Sequence, residues 1–276
     1  MIQYAALIVL GVLVGGFGTL VGAGGGFLLV PVLLLLYPGR DPGTITSMSL
    51  LVVLANATSG TAAYARQRRV DVASGAWFAL ATLPGSIAGA LLVGEVPRRA
   101  FDALFALVLA AVGAFLVFPR RGVTAVRDPL TGRGVVRRLM RDREGHTYVY
   151  AYRRWQGLAI SLGVGFLASL LGIGGGIVHV PAMAIILHFP VHIAAATSHF
   201  VLAVTALEAT ATHVFSGTLT WSEPFAQALA IAVGAVAGAQ AGAHFAARLH
   251  GPLIIRVLGG ALLLVAARLA VVAVTG

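Results

Sequence analysis

Apolar residues run through this chain in long blocks. The alternation of a half-buried strand and the one-sided stripe of a soluble helix are both missing. Breaking the blocks at Gly/Pro clusters and charges predicts segments at Tyr4–Val21, Phe27–Tyr37, Thr46–Ala65, Val72–Val93 and Arg99–Phe118, then Trp155–Leu171, Ile177–Phe189, His192–Phe215, Ser222–Ala246 and Pro252–Val274. Most have the roughly 18 to 23 residues that a helix needs to cross about 30 Å of hydrocarbon. The second piece of each set of five is too short to span alone and follows a glycine cluster, which marks a broken or re-entrant helix. The expected fold class is an all-α integral membrane protein of about ten helical segments.

The two sets of five are related. Gly22, Gly24, Gly25, Gly26 and Pro31 recur 150 positions later as Gly172, Gly174, Gly175, Gly176 and Pro181. Thr46-Ser47 recur as Thr197-Ser198, and Gly85 and Gly89 as Gly234 and Gly238. Such a register over so long a stretch indicates duplication. The expected organisation is a first membrane repeat over residues 1–118, a connector over 119–154, and a second membrane repeat over 155–276. An odd number of crossings per repeat makes the two copies inverted, an arrangement suited to alternating access.

Composition supports lipid as the solvent. The apolar fraction is 59%, only 10% of residues are charged, and mean hydropathy is +0.94. Tyr4–Val21 lacks a basic flank and a small-residue cleavage site, and is expected to belong to the mature fold. There is no cysteine, which excludes disulfides and thiolate metal sites. The net charge of +10 comes entirely from arginine, and ten of the nineteen lie between Arg120 and Arg154. That clustering reads as a cytoplasmic loop and not as a nucleic-acid footprint. It places the chain in the cytoplasmic membrane, the connector inside and both termini outside, although Arg98 and Arg99 fall on the outer side. Within the connector, Val135–Arg141 and Thr147–Arg153 read as two strands around a turn at Asp142–Gly145, a soluble hairpin. Its arginines can meet anionic lipid headgroups.

Candidate chemistry centres on the glycine clusters. Gly24, Gly25, Gly26 and Gly174, Gly175, Gly176 let the backbone leave the helix and expose N–H groups at the start of the next half-helix, where the helix dipole favours an anion. Close helix packing is the competing reading of the same glycines. Thr46, Ser47, Thr197 and Ser198 open the third segment of each half, where a hydroxyl can cap the helix or donate to an oxyanion. The pattern Gly-x-Gly-Gly-Gly-x4-Pro, followed by Thr-Ser and present once per half, resembles the sulfite exporter TauE/SafE family over residues 7 to 118 and 157 to 272. The resemblance implies transport of a small sulfur oxyanion or organosulfonate, with the glycines and hydroxyls just named as binding candidates. The chain departs from the pattern at Ile45 and His179 and in its long basic hairpin.

Titratable residues inside the apolar segments fall in the second half: His179, His199, Glu208, His213 and His244. A charge at such depth is costly, so these are candidates for function. His199 is assigned to substrate binding, and Glu208, His179 and His213 to proton coupling, with interhelical hydrogen bonding as the alternative for Glu208, His213 and His244. His188 and His192 straddle Pro190, and no His-Glu-x-x-His string occurs, so no metal is expected; nor is any cofactor. The expected function is secondary transport of a small anion, against a passive anion channel or an intramembrane enzyme. An enzyme would need a nucleophile with an oriented base, and the sequence offers no such pair.

Overall fold

The computed structural model describes residues 2–117, 133–246, 248–249 and 251–275. Phe118, the connector over residues 119–132 and His250 lie outside the described residues. Among the described residues there are ten α-helices: α1 (Ile2–Leu20), α2 (Gly26–Leu36), α3 (Pro42–Arg66), α4 (Val72–Leu92), α5 (Arg98–Val117), α6 (Arg154–Leu171), α7 (Gly176–Pro181), α8 (Val191–Phe215), α9 (Glu223–Ala246) and α10 (Gly251–Thr275). A π-helical turn, Ala182–Ile186, extends α7. Among the described residues seven helices are long and apolar enough to cross a bilayer, while Gly26–Leu36 and Gly176–Ile186 are too short. Large apolar side chains such as Leu13, Leu80, Leu107, Leu207 and Val233 are exposed on the outer faces. Only lipid makes such a surface favourable.

Helix starts follow local chemistry. Asp41 caps α3, its carboxylate accepting from the Thr44 N–H at 2.8 Å and the Thr44 hydroxyl at 2.6 Å, with Pro42 at the first helical position. α8 begins at Val191 directly after Pro190. Both starts precede the expected ones, so Thr46-Ser47 and Thr197-Ser198 lie inside their helices and cap neither. The Asp-Pro and Pro signals, which need no help from later hydroxyls, set the boundaries.

The halves are interleaved. α1 packs on α9 and α4 on α6, α3 lies against both α8 and α9, α8 against both α3 and α4, and α5 pairs with α10. Exchanging the two halves maps this set of contacts onto itself. α1 and α9 approach backbone to backbone: a methyl on Gly15 would sit 2.6 Å from Ala235 Cα, and one on Gly238 would sit 2.7 Å from the Gly16 nitrogen. Small residues take this role because helices in lipid gain from close packing and have no hydrophobic effect to draw them together.

Strands β1 (Val135–Arg141) and β2 (Thr147–Arg153) pair antiparallel, with Arg138 opposite Tyr150. This hairpin is not a freely solvated anchor. Tyr150 and Tyr152 are buried among Phe78, Met183 and Phe189, over the π-helical turn of the second half. The Tyr150 hydroxyl donates to Asp71 at 2.8 Å and that of Tyr152 to Ser74 Oγ at 2.7 Å, at the start of α4. Burial, then the facing Asp71 carboxylate, push the Tyr150 phenol far above its ordinary pKa, so it stays a donor.

Candidate functional site

Each glycine cluster is a break between two helices. Gly22, Gly24 and Gly25 have φ of 78°, 76° and 81°, and Gly172, Gly174 and Gly175 have 68°, 72° and 92°. Side chains rarely adopt that conformation, which explains three glycines of each motif. The fourth serves proximity. A methyl on Gly26 would lie 2.8 Å from the Gly172 carbonyl oxygen and from Ile173 Cα, and one on Gly176 would lie 2.6 Å from Ala23 Cα and 2.8 Å from the Gly22 oxygen. The two breaks therefore touch each other reciprocally, and in this conformation no room for a solute is left at that contact.

The amide inventory of the breaks is uneven. The N–H groups of Ala23 and Gly24 donate to Gly18, and those of Ile173 and Gly174 to Ala168. The next three in each break, on Gly25, Gly26 and Phe27 and on Gly175, Gly176 and Ile177, have no acceptor among the described residues, and all six residues are buried. Such donors begin any helix, but at a surface water satisfies them. Here they meet at the contact of two half-helices with their positive dipole ends.

α3 holds both breaks in place. Asn56 donates to the Gly24 carbonyl at 3.1 Å and Ser49 to the Gly172 carbonyl at 2.7 Å. Thr19 donates to Asn56 at 3.1 Å, Tyr64 donates to the Thr19 carbonyl at 2.7 Å, and His199 Nε2 lies 3.2 Å from Thr19 Oγ1. Asn56, Thr19, Ser49 and Tyr64 were not among the residues expected from the sequence. The chain's one asparagine, set in an apolar helix, is the signal that could have found Asn56.

The hydroxyl pairs divide. Thr46 Oγ1 and Ser198 Oγ are buried and have no hydrogen-bond partner. Ser47 instead donates to the Thr44 carbonyl at 2.9 Å, and Thr197 accepts from the Asp71 N–H at 3.0 Å. A methyl on Gly172 would touch Thr46 at 3.0 Å, so Thr46 borders a break.

The titratable residues are dispersed. His179 lies within α7, buried, 3.1 Å from Ser161 Oγ and edge-on to Phe78. His199 belongs to the Asn56 network and is packed edge-on against Tyr64. Glu208 is half-buried, accepting from Ser86 on α4 and from Thr212 at 2.8 Å. Nine residues of helix, about 13 Å, separate it from His199, so the two exchange no proton directly. His213 is buried with neither ring nitrogen partnered, while His244 is exposed.

Arg98, on the side assigned to the exterior, pairs with Asp102 at 3.1 Å and donates to the Leu34 and Arg40 carbonyls, closing the end of α2. Its charge is used locally. Asp142, Glu144 and His146 could together reach one cation, but Arg69 already occupies Asp142 at 3.0 Å.

The family model described as Sulfite exporter TauE/SafE matches residues 7–269. The chain is 33% identical over 227 residues, 79% of this chain and 81% of the relative, to the "Probable membrane transporter protein YunE" of Bacillus subtilis. It is 28% identical over 206 residues, 73% of this chain and 68% of the relative, to a second protein named as a probable membrane transporter, from Methanocaldococcus jannaschii. No solved structure matches it significantly. The touching glycine breaks, the lipid-facing bundle and these matches lead to one conclusion: this chain is a membrane transporter protein belonging to the sulfite exporter TauE/SafE family.

Proposed function

We propose that this protein is a secondary transporter of a small anion, a sulfur oxyanion or organosulfonate, working by alternating access without chemical change to its cargo. The observation that carries this reading is the set of six buried amide N–H groups without acceptors, three on each of two glycine breaks in mutual contact. Buried unpaired donors are costly, and a ligand of opposite polarity relieves them. Thr46 Oγ1 and Ser198 Oγ, likewise unpartnered, would add hydroxyl donors from α3 and α8. The family description, sulfite exporter, supports the sulfur-anion class.

In this reading residues 1–118 and 155–276 are inverted repeats, and the touching breaks represent a closed conformation. Admitting an anion separates Gly26 from Gly172 and Gly176 from Ala23 by a rocking of one repeat against the other. The hairpin face is cytoplasmic, with both termini opposite. His199 steadies the first break through Thr19. Glu208, His179 and His213 are assigned to proton coupling, since each lies in an apolar segment without an ion-pair partner among the described residues.

The test is counterflow. Purified protein in proteoliposomes preloaded with unlabelled sulfite or an organosulfonate should transiently accumulate the labelled anion above equilibrium. Equilibration without overshoot points to a channel, and absence of any anion flux removes the proposal.

A further inference from the structure

Between the C-terminal end of α3 and the hairpin turn lies a cavity of about 550 Å³, lined by Arg66, Arg68, Arg141, Asp142, Arg143 and Gly145. Its charge is strongly unbalanced. The one carboxylate in the lining, Asp142, is buried and committed to Arg69 at 3.0 Å, with its other oxygen accepting the Glu144 and His146 N–H groups, and the exposed Glu144 carboxylate beside it also reaches Arg69, at 3.4 Å. Burial alone would raise its pKa. The Arg69 guanidinium, the His146 N–H and the Tyr148 hydroxyl outweigh that and hold it below the usual carboxylate range. Asp142 is thus spent on Arg69 and cannot neutralise the lining.

The side chains of Arg68, Arg141 and Arg143 have no hydrogen-bond or ion-pair partner among the described residues, and Arg66 has only a 3.3 Å contact to Gln240. Free in water, four guanidinium groups would splay apart. Here two elements keep them together, the Arg143 N–H donating to the Gln67 carbonyl at 3.0 Å while Arg69 grips Asp142. Arg68 sits in the left-handed region at φ 57°, a conformation that costs a branched or long side chain energy and recurs where a site dictates geometry. At the turn Gly145, φ 90°, leaves the wall open beside Arg141.

We propose that this cavity is a second anion site, distinct from the glycine breaks, that takes a phosphate-type group carrying two or more negative charges. Ten residues of α3, about 15 Å, separate Arg66 from Asn56 at the first break. Guanidinium forks match phosphate oxygens two at a time, and several forks around one concavity favour a polyvalent over a monovalent anion. A cavity of this size admits a diphosphate or the headgroup of a diphosphate lipid, and both present the same chemistry.

The full chain in nanodiscs distinguishes the sources. In phosphatidylcholine alone, inorganic pyrophosphate should raise Tm by several degrees, beyond any shift from sodium chloride at equal ionic strength. In nanodiscs containing cardiolipin, a raised Tm without pyrophosphate identifies the lipid headgroup as the occupant. In either case the triple variant R68Q/R141Q/R143Q should weaken the response at least about tenfold, since it removes charge-assisted contacts. The three arginines are exposed, so the variant is expected to fold, and its counterflow of the transported anion reports that it has. No stabilisation by either ligand, a shift matched by chloride, or an equal response in the triple variant overturns the proposal. None of these outcomes touches the central site, whose failure would appear in counterflow by the wild type.

Discussion

Gly26 and Gly176 lie outside the left-handed region, so alanine could adopt their backbone, yet each faces the opposite break at under 3 Å from a methyl's position. Gly26→Ala or Gly176→Ala is therefore expected to cost about 1 to 3 kcal/mol by overpacking and to reduce counterflow at least tenfold. Gly163→Ala is the control: nothing lies within 4 Å of the added methyl, and helix propensity predicts a neutral or slightly stabilising change. Thermal unfolding in detergent separates the two cases. Asn56→Ala should cost about 1 to 3 kcal/mol, because it leaves the Gly24 carbonyl unpaired in a dry interior. Glycine content and spacing were legible in the sequence, since glycine is the residue that takes positive φ without strain. The partners that hold the glycines were not, because Asn56, Ser49 and Thr19 act on carbonyls remote in sequence.

At the level of elements, the hairpin joins residues that no local rule connects. Its strands followed from alternation and a turn, but its docking rests on Tyr150 and Tyr152 finding Asp71 and Ser74, and on Arg69 finding Asp142. Because the Asp142 carboxyl is held below its unfolded value, its contribution to docking is full above the ordinary carboxylate pKa and is lost as pH falls through the lowered one. Hydrogen exchange at Val149–Arg153, corrected for intrinsic rates, should thus be unchanged from neutral pH to about 5 and accelerate below about 4. Asp142→Ala should bring the same loss of protection at neutral pH, on the order of 3 kcal/mol for a buried ion pair stripped of one partner. Equal protection in wild type and variant would show that the tyrosines alone hold the hairpin. The Asp71 N–H that donates to Thr197 belongs to this same junction, so hairpin undocking is expected to reach α8.

For the molecule as a whole, the contacts α1 with α9 and α4 with α6 mean that neither half forms a bundle by itself. Gly238→Leu, which forces α9 from the α1 backbone, should destabilise both halves together, and a single unfolding transition would register it. Proton coupling is tested at the same scale. Glu208→Gln should retain counterflow yet lose any response of uptake to an imposed proton gradient; a response equal to that of wild type removes Glu208 from the role.

Hydrophobic length, glycine spacing and proline position act over a few residues, and so the solvent, the helical segments and the two breaks were legible in the chain alone. Which break meets which, what α3 pins, that Thr46 and Ser198 stay unpaired among the described residues while Ser47 and Thr197 do not, and that the basic hairpin docks on the start of α4 and on the π-helical turn emerged only in three dimensions. Most of those outcomes depend on distances between groups remote along the chain, such as 32 positions for Asn56 and Gly24 and 126 for Asp71 and Thr197, which periodicity does not encode.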